Sequence, residues 1–183
     1  MPMPLTEAGR VSLYTQVLGA QADSLPPVLS RLHGSGERRL SGILKVRVAR
    51  GPLTRLLLRL ARMPRAGDTN ARVRIVPREN GEDWQRFFGD RRLFTRQYRR
   101  DGPWIIERIG LLTIYLQLHV RDRRLWLRSS IAKFCGVRLP GVLGIQVVAR
   151  ERAISPDIFH SDVHIRSPLL GPLLSYSGTL LLE

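Results

Sequence analysis

The sequence predicts an α+β protein: a strongly curved antiparallel sheet or open barrel of about nine strands, with two helices before it and one amphipathic helix after the first strand. Three observations carry this. From residue 71 onward, short segments alternate apolar and polar side chains. Turn signals such as Asn80-Gly81, Gly89-Asp90 and Asp101-Gly102-Pro103 separate them. A helical period occurs only before and just after the first strand. A sheet of this many strands curls, and the helix after the first strand is expected to close its concave side.

Residues 7–19 carry Val11, Tyr14, Val17 and Leu18 at helical spacing, with Gly19 as a stop. Residues 26–33 suit a short second helix, with Ser24 as a cap and Pro26 or Pro27 in its first turn. Gly34-Ser35-Gly36 breaks it. The pair is expected to pack across one end or face of the sheet. In the first strand, Leu40 to Arg50, Leu44, Val46 and Val48 oppose Lys45 and Arg47. Residues 53–63 change period: Leu53, Leu56, Leu57 and Leu60 form a stripe opposite Arg55, Arg59 and Arg62, and Pro64 closes the helix. This pattern suits a helix packed on a sheet as a lid over a pocket, and it also suits an interfacial membrane helix.

Strands then follow at Ala71–Arg78, Asp83–Phe88 and Leu93–Arg99. Trp104–Ser130 supplies three more, and within it Leu112–Arg121 is the longest clean alternation in the chain. Residues 131–143 are less regular and read as a loop with a short helical turn. Gly144–Arg152, Ile158–Arg166 and Leu173–Leu182 complete the set. No internal repeat or low-complexity segment interrupts residues 1–183, which read as a single domain.

The composition is ordinary for a globular chain except in charge. Thirty basic residues oppose fifteen acidic ones, giving +15, and Lys45 and Lys133 are the only lysines. A GC-rich coding sequence also produces an arginine bias. The functional readings are attraction to an anionic membrane surface, to nucleic acid or to an acidic partner. With no RNA-recognition or helix-turn-helix signature, sequence-specific nucleic-acid binding is not expected. Cys135, the single cysteine, is expected to be a buried, inert thiol. No signal-peptide pattern and no apolar run of about 18 residues is present, so a cytoplasmic setting is expected.

Candidate site residues come from side chains on apolar faces. Glu107 shares a face with Ile105 and Ile109, and Glu151 shares one with Val147 and Ala149. A buried carboxylate needs a partner, so each predicts either a structural Arg–Glu pair or a cavity-lining acid able to act as a general base. Trp84, Arg86 and Phe88 share a face, as do Phe94, Arg96 and Tyr98. Such interleaving suits base stacking or cross-strand packing. His160, Asp162 and His164 share a polar strand face but lack a ligand from a separate element, so no metal is assigned. His33 is read as a helix-end cap. No cofactor is assigned either: the glycines of GSGERRLSG at 34–42 precede a strand, the wrong context for a dinucleotide fingerprint.

The order of several short motifs is similar to a bacterial family catalogued as domain of unknown function 4166. They are LYTQVLG at 13–19, LPPVLSRLHG at 25–34, RRLSG at 38–42 and the leucine-rich 53–64 segment. DWQRFFGDRRLFTR at 83–96, IERIGLLTIYLQLHV at 106–120, VRLPGVLG at 137–144 and FHSDVHIRSPLLGPLLSYSG at 159–178 follow. The resemblance implies a domain that occurs alone or attached to NAD-dependent oxidoreductase-like domains, and it carries over no catalytic residue. Three functions are therefore expected in order. The first is a non-catalytic binding module for an apolar or amphipathic, anionic small molecule held in a curved-sheet pocket by Trp84, Arg86, Arg108, Glu107 and Glu151. The second is an enzyme using Glu107 or Glu151 as general base. The third is a basic accessory domain docking a membrane surface or an oxidoreductase partner.

Overall fold

The computed structural model describes residues 11–60, 63–100 and 102–183; the side chains of Leu53, Leu57, Leu60 and Ser130 also lie outside the described set. Helix α1 is Leu13–Leu18, α2 is Pro27–Leu32 and α3, which follows β1, is Pro52–Leu60. The strands are β1 (Arg38–Val48), β2 (Gly67–Arg78), β3 (Gly81–Phe88), β4 (Arg91–Tyr98), β5 (Ile105–Ile109) and β6 (Leu112–Arg121). They continue with β7 (Arg124–Phe134), β8 (Val137–Arg138), β9 (Gln146–Ala153), β10 (Ile158–Ser167) and β11 (Gly171–Leu182).

Ten of the eleven strands close into a ring. Neighbours pair antiparallel in the order β1 to β7, then β9, β10 and β11, and β11 returns to β1. The two-residue β8 stands aside, paired only with the end of β7. The expected strongly curved sheet or open barrel of about nine strands is thus a closed barrel of ten. Local alternation shows which residues face inward, but the β1–β11 and β7–β9 pairings that close the ring join distant segments. Residues 131–134, expected to be loop, extend β7.

The register fixes two faces. Leu40 pairs with Val73, Ile75 with Trp84, Ile105 with Leu116, Leu125 with Glu151 and Phe159 with Leu180, all pointing inward. Lys45, Arg47, Arg72, Arg74, Arg96 and Arg128 point outward and are exposed. A transmembrane barrel shows lipid an apolar outer band; this one has its apolar face inside. Among the described residues no helix is long and apolar enough to cross a membrane.

Antiparallel strands place alternate connections at opposite ends. The end formed by the start of β1 and the turns after β2, β4, β6 and β9 receives the N-terminal segment. There α1 packs on β5 and β6, while α2 packs on β9 and β10. Tyr14, Leu18, Val28, Leu29 and Leu32 join one buried cluster with the inward strand residues. Ser12 caps α1, accepting from the Thr15 N–H at 3.1 Å. Pro26, not Ser24, occupies the cap position of α2, because residues 19–24 are drawn into a 3-10 turn. Residues 7–10 of the expected first helix lie outside the described residues.

Of the expected lid, residues 53–63, the part within α3 stands at the other end, since it follows the far end of β1, and residues 61–62 lie outside the described residues. Of its leucine stripe, Leu56 is exposed and the other three side chains lie outside the described set. None of the described α3 side chains joins the core cluster. It is α1 and α2 that fill a barrel end. Cys135 is exposed rather than buried: with Gly136 it forms a tight turn at φ 49° and 82°. Its apolar neighbours belong to the strands on either side of that turn.

At the β1–β11 seam, Gly178 lies opposite Leu44 and Gly42 opposite Leu180. A Cβ on Gly178 would meet the Ile43 carbonyl oxygen at 2.1 Å, and one on Gly42 would meet the Thr179 oxygen at 2.2 Å. The seam closes tightly because neither position has a side chain. Gly178→Ala is expected to lower stability by roughly 1–3 kcal/mol through overpacking against backbone. Urea unfolding measures it, and an unchanged midpoint would show that the seam tolerates a wider separation.

Candidate functional site

Inside an apolar barrel each polar side chain needs a partner. This interior holds two connected polar groups. In the first, Arg86 of β3 donates from Nη1 to Thr95 Oγ1 at 2.6 Å and to Glu107 Oε1 at 3.0 Å, and the Thr95 hydroxyl donates to the same Glu107 oxygen at 2.7 Å. The Arg86 guanidinium lies 4.6 Å from the Trp84 ring centroid. Burial works against the Arg86 charge, but Glu107, Tyr176 and the hydrogen bond to Glu107 outweigh it and raise the guanidinium pKa.

In the second group, Glu151 of β9 meets His33, the residue after α2. The carboxylate Oε2 lies 2.7 Å from Nε2. With the carboxylate as acceptor, the imidazole proton sits on Nε2. The His33 ring stacks on Tyr14 at 3.8 Å between centroids, and the Tyr14 hydroxyl donates to Gln97 Oε1 at 3.0 Å. Gln97 is the register partner of Glu107, so the two groups meet across β4 and β5. Burial, with Glu82, Glu151 and Glu107 nearby, raises the Tyr14 phenol well above its ordinary pKa, and Arg86 opposes this. Burial likewise raises Tyr176; Arg86 pulls it down, while Glu107 and Glu151 push it up.

A third arrangement fastens the helices to this interior. Arg38, buried at the start of β1, donates from Nε to the Leu32 carbonyl at the end of α2, at 3.0 Å. Its terminal nitrogens donate to the Gly36 carbonyl and to Glu82 Oε2. At the rim, Gln21 accepts from the Val120 N–H at 3.0 Å, and Arg31 donates to Asp157 at 2.6 Å.

Not every buried group is satisfied. Among the described residues, His33 Nδ1, Trp84 Nε1 and Glu82 Oε1 are buried without a hydrogen-bond partner.

Of the sequence-derived candidates, the structure brings Trp84, Arg86 and Glu107 together and sets Glu151 across the interior from them. Arg108 is not among them. It follows Glu107 along β5, so it takes the outer face, where it is exposed near Phe94 and Arg96. Phe94 packs edge-on against Phe87 on that outer wall. Asp162 is held by Arg150 at 3.1 Å and His164 at 3.1 Å. Among the described residues no cluster of three or more His, Cys, Asp or Glu could hold a metal ion. Tyr14, His33, Arg38, Glu82 and Gln97 were not selected from the sequence. For Tyr14 and His33 a signal exists: each shares a helix face with core leucines, Leu18 and Leu29, and carries a polar group into that core.

The fold and site together define a closed antiparallel barrel, filled by helices at one end, with a polar network inside. The chain belongs to the family described as Domain of unknown function (DUF4166), which matches residues 25–180. No curated protein and no solved structure matches the chain. The match spans all the network residues except Tyr14.

The raised tyrosines set an alkaline dependence. A phenol raised in the folded state contributes stability that is complete below its unfolded value of about 10 and is lost as pH rises through the folded value. Tyr14→Phe is expected to cost about 1 kcal/mol at neutral pH, through the Gln97 hydrogen bond. It should also make the alkaline loss of stability shallower, and Tyr14→Phe/Tyr176→Phe shallower still. Urea unfolding at pH values from about 8 to about 11 reads both; parallel curves for wild type and variants would disprove the assignment.

Proposed function

We propose that this chain is a non-catalytic binding module that holds an apolar or amphipathic small molecule, with an anionic or strongly polar group, inside the barrel. One observation carries the reading: the Arg86–Glu107 ion pair stands on inward strand faces among apolar side chains, and each partner keeps 13% of its side-chain surface exposed. Toward the end opposite the helices Leu93, Ile109, Leu112, Val147 and Tyr176 face inward and are partly buried, while Ala71 and Phe88 beside them are fully buried. That wall is apolar, and ligand sites combine such walls with a few placed polar groups.

Arg86 is the anchor best suited to an anionic group. Its Nη1 serves Thr95 and Glu107, and among the described residues its other N–H groups have no hydrogen-bond partner. A guanidinium presents five donors in a fixed plane, so a carboxylate or phosphate can be added without breaking the Glu107 pair. Trp84, with its ring under that guanidinium and its own N–H unpartnered, supplies a flat apolar contact and a further donor.

The test is native mass spectrometry of the purified protein beside Val147→Trp, which fills the partly buried zone. Wild type is expected to carry a bound molecule that the variant lacks, with the variant equally or more stable to heat. Equal occupancy in both, or none in wild type, would end this reading.

A second reading, an enzyme with Glu151 as general base, is favoured by the His33 contact. Glu151 Oε2 is engaged by His33, whose Nδ1 is buried and free of partners. Such a pair can pass a proton between a carboxylate and a reacting group. Glu107 suits this less, because two donors already occupy its Oε1. If Glu151 turns over a substrate, Glu151→Gln is expected to accumulate a bound molecule of different mass from that in wild type. The same mass in both proteins would count against catalysis.

A further inference from the structure

Five connections leave the barrel at the end opposite α1 and α2: the one from β1 to β2 that carries α3, described at residues 49–60 and 63–66, and those at 89–90, 110–111, 135–145 and 168–170. Four of the five expose large apolar side chains. Leu56, Leu111, Val137, Val142, Leu143 and Leu169 are each between 50% and 70% exposed. They are not one patch. They sit on separate loops around a ring, most beside a glycine or proline that shapes the turn: Gly110, Gly136, Gly141 and Pro168.

The charge on the same connections is one-sided. Arg50, Arg55, Arg59, Arg65 and Arg138 lie on them, and Asp90 is the sole carboxylate among their described residues. The helical end is mixed, with Asp23, Glu37, Glu79, Asp122 and Asp157 among its arginines. Between α3 and the barrel mouth lies a concavity of about 510 Å³ lined by Arg55, Arg59, Arg65 and Arg91 over Leu58 and Met63, with no acidic residue among the described residues of its lining. Arg91 Nε is buried there without a partner.

We infer that this end of the barrel docks on an anionic lipid bilayer, with the apolar loop tips entering the acyl boundary and the four-arginine concavity receiving lipid phosphate. Two arguments favour a bilayer over an acidic protein. Separate apolar tips around a ring can each sink into a deformable interface, whereas a rigid partner would have to match all of them at once. Guanidinium groups set among apolar tips also match the order of a bilayer surface, phosphate outside and hydrocarbon beneath.

The test is co-sedimentation with vesicles of phosphatidylcholine alone and of phosphatidylcholine mixed with phosphatidylglycerol. The protein is expected to bind the mixed vesicles and not the neutral ones. At about fivefold per arginine near the surface, Arg55→Ala/Arg59→Ala should weaken binding roughly twenty-five-fold. Val142→Asp/Leu143→Asp should weaken it as strongly, with circular dichroism unchanged for both variants. Ile154→Asp, an exposed apolar position at the helical end, should have no effect. Val147→Trp should bind vesicles like wild type, which separates docking from ligand capture within the barrel. Equal binding to neutral vesicles, no binding at all, an Ile154→Asp loss matching that of the loop variants, or a Val147→Trp loss would each overturn the inference.

Discussion

Ring closure is the constraint on which the rest of this structure depends. Pairing β1 with β11 and β7 with β9 removes every long sheet edge, but ten strands enclose more space than the eight whose side chains just fill a barrel. That interior has to be filled by something. Here the N-terminal segment fills one end, with Tyr14, Leu29 and Leu32 entering the core. The seam that permits closure is equally specific, since Gly42 and Gly178 let β1 and β11 approach where any Cβ would strike a carbonyl oxygen.

The filling segment explains most of the buried polarity. A helix end leaves carbonyls without partners, and in α2 the Leu32 carbonyl is turned toward the barrel. Arg38 satisfies it, and Glu82 balances the Arg38 charge. The His33–Glu151 contact joins the same helix to β9, the wall it packs on, while Tyr14 ties α1 to β4 through Gln97. These groups hold helices onto strands. The Arg86–Thr95–Glu107 group is different: all three residues lie on strands, and register alone would hold them in place. A buried ion pair that no fastening requires is a costly feature for a core, and each of its partners keeps part of its surface exposed.

The inward facing of Trp84, Arg86, Glu107 and Glu151 was legible in the sequence, because alternation along one strand needs no knowledge of its neighbours. The same rule excludes Arg108 from the interior, since it adjoins Glu107. Arg38, Glu82 and Gln97 were not legible, because each gains its meaning from a partner on another element. Arg38 falls before the expected first strand, Leu40 to Arg50, and Gln97 is one polar residue in an alternating strand. His33 was obscured by Gly34, which suggests a helix end and thus a cap, when the ring in fact lies one turn beyond Leu29 on the buried face. The strand count was legible to within one; closure was not, because nothing in the alternation of Leu40–Val48 or Leu173–Leu182 records that these segments meet.

The molecule's asymmetry follows from connectivity. An even ring of antiparallel strands sends alternate connections to opposite ends, so a segment preceding β1 and one following it must occupy different ends. The first, α1 and α2, brings apolar faces that have somewhere to go. The second, α3 and the loops around it, meets a mouth whose inward wall already consists of Leu93, Ile109, Leu112 and Val147. Apolar residues at this end therefore lie on two sides of one opening: the partly buried wall within, and the loop tips without. Arg86 and Glu107 stand below the wall, and Arg55, Arg59, Arg65 and Arg91 stand around the rim. A molecule with an apolar body and an anionic group, bound as proposed, would meet guanidinium groups at the rim and at Arg86, with apolar side chains between. That is the physical reason to consider the barrel interior and the loop-bearing end as parts of one apparatus.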